Sequence, residues 1–198
     1  MCYSVQASIA AFVVGMSLSL GLTQQADKNK QIFGWFFAFV SLMQLFDAYF
    51  WLNPENADVS KIAMIFNHAQ PLVLAFLVNA NKKQLSVASK LFAAVYLFVI
   101  TVYSLNLKIT NTVKDSSSGD SLNWTWNHGK FGEAVYVYFT FVMAYIFYSE
   151  LDQPYNKIAA FYTVASFAFS VVKYEKIKSV GRFWCFIACF IPLLVYFI

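Results

Sequence analysis

Residues 34–54 read GWFFAFVSLMQLFDAYFWLNP, and this stretch decides the fold. Apart from Gln44, Asp47 and Asn53, the run is apolar, aromatic or small. Its length matches the ~20 residues with which a helix crosses the hydrocarbon core of a bilayer. Gln44 and Asp47 are three apart and share a helix face, which Trp51 continues seven positions on from Gln44. Placing a carboxylate in the middle of such a helix costs ~2.5–3.5 kcal/mol on insertion scales. A chain that keeps it there has a partner or a task for it, so this face is the first candidate site.

Composition extends the conclusion to the whole chain. Of 198 residues, 60% are hydrophobic and 20% aromatic, the mean hydropathy is +0.57, and 12% are charged. The charged share is about half that of a soluble domain. Nothing marks a domain boundary, so residues 1–198 are read as one transmembrane domain whose partner is the lipid bilayer. The net charge of +4 is spread between apolar runs and forms no patch, which argues against a nucleic-acid partner. Cys185 and Cys189, four apart on one helix, are poorly placed for a disulfide and read as buried small hydrophobes.

Seven apolar runs predict an all-α bundle of seven transmembrane helices, at about 3–22, 32–52, 62–79, 85–107, 131–149, 155–172 and 181–198. The first run is read as an anchor; Ser4, Ser8, Gly15 and Ser19 give it a small face for close helix contact. Asn53-Pro54 ends the second run, because proline disfavours helix at the residue before it. The third holds a dense polar set, Asn67, His68, Gln70 and Pro71, and the proline frees a carbonyl near Asn67. The fourth has almost no polar side chain after Lys90 and is expected to face lipid.

The one long extramembrane loop is 108–130. Trp124, Trp126 and His128 suit a membrane–water interface, so 122–129 is expected to fold over the mouth of the bundle as a lid, with 114–120 mobile. Seven spans put the termini on opposite sides. Lysines follow the first run and none precedes it, and Asn123-Trp124-Thr125 is a glycosylation sequon; both favour an external N-terminus. The basic 173–182 segment argues the other way.

The opening Met1-Cys2-Tyr3-Ser4 with Ser8, and Gln44, Asp47 and Trp51 in the second helix, resemble a family of seven-helix membrane proteins of bacteria and large DNA viruses. Those begin Met-Cys-Phe-Ser-x-x-x-Ser and carry Gln-x-x-Glu and a Trp in the second helix. Here Tyr3 stands for Phe and Asp47 for Glu. The match covers the first ~50 residues, and the rest by helix count. The resemblance implies a fold and a polar site and supplies no activity.

A buried cluster joining Gln44 and Asp47 to Asn67, His68 and Gln70 would serve binding or translocation of a small polar solute, an ion or a proton. Asp47 near His68 would make a proton-relay pair. The same residues could instead form a structural hydrogen-bond knot in a subunit of a membrane complex or viral envelope. A membrane-embedded enzyme or a metal-dependent sensor is the third alternative. Cys2, Asp47 and His68 could ligate a metal, but two histidines in the chain and no His-x-x-x-His pair make that set thin. The last run lacks the lysine that a retinal pigment needs, and no nucleotide loop or hydrolase elbow is present. A homo-oligomer stays open.

Overall fold

The computed structural model describes residues 4–82, 84–107, 112–115, 121–124, 126, 130–174 and 180–198. Its helices group into seven rods. The first is α1 (Val5–Thr23), capped by Ser4, whose hydroxyl oxygen accepts the Ala7 N–H at 3.1 Å. The second is Lys28–Leu52, made of α2 (Lys28–Ser41) and α3 (Met43–Leu52). The break between them at Leu42 is a tightened turn: Leu42 N–H reaches Phe39 O at 3.2 Å and Leu45 N–H reaches Leu42 O at 3.0 Å. Leu52 ends this rod just ahead of Asn53-Pro54, as expected.

The third rod, α4 (Ala57–Lys82), is longer at both ends than the expected 62–79. Asn56 caps it by accepting the Val59 N–H at 3.0 Å, so polar residues that read as loop form its first turn. Pro71 lies inside α4 and the helix continues past it. α5 (Val87–Asn106), α6 (Lys130–Glu150) and α7 (Tyr155–Tyr174) follow. The seventh rod is α8 (Val180–Ala188) and α9 (Ile191–Tyr196), with Pro192 at the start of α9.

Among the described residues, the bundle is therefore all-α, with seven rods. Among the described residues, five are long and apolar enough to cross a membrane: α1, α2–α3, α4, α5 and α6. α7 has the length but carries more polar residues, and the final rod is apolar but short. The long loop is not helical throughout. β1 (Thr112–Asp115) pairs antiparallel with β2 (Ser121–Trp124), setting Thr112 opposite Trp124 and Asp115 opposite Ser121. Lys114 and Asp115 thus lie in a strand rather than in the mobile stretch expected at 114–120; 116–120 lie outside the described residues.

Packing follows the sequence pattern. The small face of α1 is buried through Ser8, Ala11, Gly15 and Ser19. A Cβ on Gly15 would stand 2.4 Å from Ser41 Oγ and 2.9 Å from Cys189 Cβ, so only glycine lets α1, α2 and the last rod meet there. Cys2, expected to share this contact, lies outside the described residues. Phe33, Phe36, Phe37 and Phe147 form an aromatic core between α2 and α6, with Phe33 and Phe147 centroids 5.8 Å apart. α5 buries Ser89, Tyr96 and Ile100, packs Phe92, Ala93, Val99 and Tyr103 against the core, and exposes Leu91, Val95, Leu97, Phe98 and Leu105 on its other side.

The end of the bundle opposite the hairpin is closed by a polar clamp. Asp152 binds Lys82 Nζ at 2.8 Å and Asn29 Nδ2 at 2.9 Å. Asp27 accepts the Asn29 N–H at 2.7 Å and the Tyr155 hydroxyl at 2.9 Å. The Lys82 ammonium and the Asn29 amide hold the Asp152 carboxyl below its ordinary 3.8. Partial burial would push Asp27 up, but the Tyr155 and Asn29 hydrogen bonds outweigh it and leave this carboxyl lowered too.

Candidate functional site in the bundle interior

The polar residues singled out in the second and third runs all turn inward. Gln44, Asp47, Asn67 and Gln70 are wholly buried and His68 is 3% exposed. Trp51 is partly buried. The geometry differs from the expected Asp47–His68 pair. Asp47 Oδ1 instead accepts the indole N–H of Trp124 at 3.2 Å, from β2. Among the described residues, neither ring nitrogen of His68 has a hydrogen-bond partner. The physical reason for the change is that an indole N–H is a donor only, and burial leaves it seeking an acceptor that a carboxylate provides.

Trp124 and Trp126 are both buried and stack on each other, centroids 4.9 Å apart with ring planes 24° off parallel. Phe50 of α3 stands 6.5 Å from Trp126. The expected lid over the mouth is thus a plug that enters the bundle. His128, the third member of the expected lid, lies outside the described residues, as do 127 and 129.

Beneath the plug a connected network joins four rods. The Tyr136 hydroxyl of α6 donates to Asn67 Oδ1 at 2.5 Å. Asn67 Nδ2 and Gln70 Nε2 both point at Cys185 Sγ of α8, each at 3.5 Å. Trp184 Nε1 donates to Gln70 Oε1 at 2.8 Å. Tyr96 of α5 donates to the His68 carbonyl at 2.9 Å, one residue past the carbonyl that Pro71 was expected to free. Spacing within α4 accounts for the split: Asn67 and Gln70, three apart, face α8 together, and His68 is turned toward α5 and α6.

His68 sits edge-on between two tyrosine rings, Tyr103 at 6.0 Å and Tyr136 at 5.7 Å. The Tyr103 hydroxyl donates to the backbone carbonyl of Trp126 at 2.5 Å, which ties the plug to α5 beside the imidazole. The Trp126 indole is also buried and interacts with the Tyr136 hydroxyl.

Sequence reasoning missed Tyr96, Tyr103, Tyr136, Trp184 and Cys185 as members of this site. Their hydroxyl, indole and thiol groups were the available signal, but tyrosine is common in this chain and Cys185 reads equally well as a small apolar residue. Cys185 and Cys189 are indeed buried free thiols, and Cys185 is also the acceptor shared by two amides. Among the described residues, no three of His, Cys, Asp and Glu gather as a metal-binding set, and Cys2 of the set considered above lies outside them. No protein-family model, curated protein or solved structure matches the chain.

Proposed function

We propose that the chain is an integral membrane protein that binds or passes a small polar solute, an ion or a proton at the centre of its bundle. The site is the buried cluster of Asp47, Asn67, His68 and Gln70 under the tryptophan plug. The observation that carries this reading is His68: buried to 97%, with neither ring nitrogen partnered among the described residues, beside Asn67 and Gln70, whose polar groups are paired. A buried polar group left without a partner costs ~1–3 kcal/mol, and a neutral imidazole has both a donor and an acceptor to satisfy. A structural knot would spend those groups on other helices, as Asn67 and Gln70 do. His68 is instead held ready for something that is not part of the chain.

This reading takes all seven rods as spans, with the outward apolar faces of α1 and α5, among them Val13 and Phe98, against lipid. It places the N-terminus and the hairpin on the external side, on the lysine and sequon pattern. It also keeps the chain with the seven-helix family that its second helix resembles, since Gln44 and Asp47, which carry that resemblance, are buried together at the site.

Proteoliposomes provide the test. Glycerol, urea and potassium chloride gradients are followed by stopped-flow light scattering, and a pH gradient by entrapped pyranine. At least one flux should exceed that of empty vesicles and fall in His68→Phe. If all four match empty vesicles, with protein whose circular dichroism shows an intact helical fold, the reading is wrong.

A further inference from the structure

We infer that the species handled at His68 is the proton, passed from one ring nitrogen to the other; the inference rests on the reading above and narrows its cargo. Neither nitrogen has a hydrogen-bond partner among the described residues. A histidine kept for packing or for ligand orientation has one nitrogen locked by a carbonyl or carboxylate, which fixes its tautomer. A relay needs the opposite. The bare nitrogen of the neutral ring takes a proton from water on one side and forms imidazolium. The other nitrogen then releases its proton to water on the far side, leaving the second tautomer. One proton enters and one leaves, no electrons move, and rotation of the ring restores the starting state.

The surroundings favour the smallest cargo. Asn67, Gln70 and Trp126 have no exposed surface and Tyr136 has 1%, so the imidazole lies behind closed packing. The two amides that could grip a solute are spent on Tyr136, Cys185 and Trp184. Trp126, whose buried indole interacts with the Tyr136 hydroxyl, is the residue whose carbonyl binds Tyr103, and Tyr103 is the half-buried member of the group. That residue marks the hairpin-side approach to His68. Among the described residues, the titratable groups around this point are Tyr96 and Tyr103 from α5, Tyr136 from α6, Asp47 from α3 and Cys185 from α8. Asp47 is engaged by Trp124, Tyr96 by the His68 carbonyl, Tyr103 by the Trp126 carbonyl, Tyr136 by Asn67 and Cys185 by two amides, while the imidazole has no hydrogen-bond partner among the described residues.

The test uses the full chain in vesicles loaded with pyranine, with a potassium diffusion potential set by valinomycin. Internal acidification should run above the empty-vesicle rate, and His68→Phe should cut the protein-dependent part by roughly 100-fold, the scale of removing a proton-transfer group. Glycerol, urea and potassium chloride fluxes are measured on the same vesicles. A His68-dependent flux of one of these without proton flux overturns the proton and leaves the broader reading standing. All fluxes at the empty-vesicle level overturn both. A second measurement needs no loss of the imidazole: nitrogen-15 spectra of histidine-labelled protein in nanodiscs, with His128→Gln to assign the two rings. The His68 pair should shift with bulk pH; a single unchanging tautomer across the accessible range overturns the inference.

Discussion

The Trp124 indole N–H donates to the Asp47 carboxylate at 3.2 Å, across 77 positions of sequence and from a hairpin to a membrane-type helix. This contact turns what reads as an interfacial loop into part of the interior. Removing the donor while keeping an aromatic ring isolates it. Trp124→Phe should lower the unfolding free energy in detergent micelles by about 1–3 kcal/mol, the range for a hydrogen bond to a charged group. Asp47→Asn should cost less, since its amide oxygen still accepts. A double-mutant cycle with both changes should show coupling; strict additivity would mean that the pair does not interact.

The close approach at Gly15 makes a second prediction. Gly15→Ala puts a methyl 2.4 Å from Ser41 Oγ and 2.9 Å from Cys189 Cβ. Overpacking of this kind costs about 1–3 kcal/mol, and it outweighs the ~1 kcal/mol that alanine gains over glycine in a helix. Val13→Ala, on the outward face of the same helix, should change stability little. Micelle denaturation curves of the two variants would separate the cases, and equal effects would contradict the packing described.

A third prediction concerns acid. Asp152 and Asp27 both have their carboxyls lowered below 3.8 in the fold. Such groups stabilise the protein above their unfolded value, and that contribution is lost as pH falls through the folded value. Asp152 is largely exposed, so its share is small. The thermal midpoint should drop on acidification below about pH 4, and less steeply in Asp152→Asn and Asn29→Ala than in the parent protein. Parallel midpoint-versus-pH curves for all three would remove the clamp from the account.

How far the sequence carried depended on the kind of information each element holds. The rods were legible because long apolar runs have few other solutions, and the inward turn of Gln44, Asp47, Asn67, His68 and Gln70 follows from the cost of polar groups in lipid. Their partners were not legible. Asp47 and His68 both face inward, yet which residue each meets depends on the rotation of α4 and on where the hairpin enters, and neither leaves a local pattern. Leu42 breaks its rod without proline or glycine, so no residue announced it. Trp124 and Trp126 fit an interface as well as an interior by amphipathic character alone; their stacking on each other and the contact of Trp126 with Phe50 are tertiary facts.

The plug itself gives the last prediction. If the tryptophan pair seals the hairpin side, the groups beneath it are shielded from water-borne reagents until it moves. Cys185 is such a group: it is fully buried, and it is linked to the plug's surroundings through Asn67 and Tyr136. In a Cys2→Ser, Cys189→Ser background it is the one thiol left to follow. Treatment with methyl methanethiosulfonate, read by intact mass, should label it slowly. Trp126→Ala removes a large buried ring beside Phe50 and His68's neighbour Tyr103, and leaves a cavity where the seal was. Labelling should then accelerate by about tenfold or more, the change that ~1.4 kcal/mol of easier local opening produces. Trp35→Ala, at a residue half exposed on the outside of α2, should leave the rate unchanged. A lid resting over the mouth, as the sequence alone implies, would let Trp124→Ala act as strongly as Trp126→Ala without loss of stability. A plug anchored on Asp47 instead predicts that Trp124→Ala destabilises the fold while it speeds labelling. Equal labelling in the parent and both hairpin variants, with helical content intact, would show that the tryptophans seal nothing.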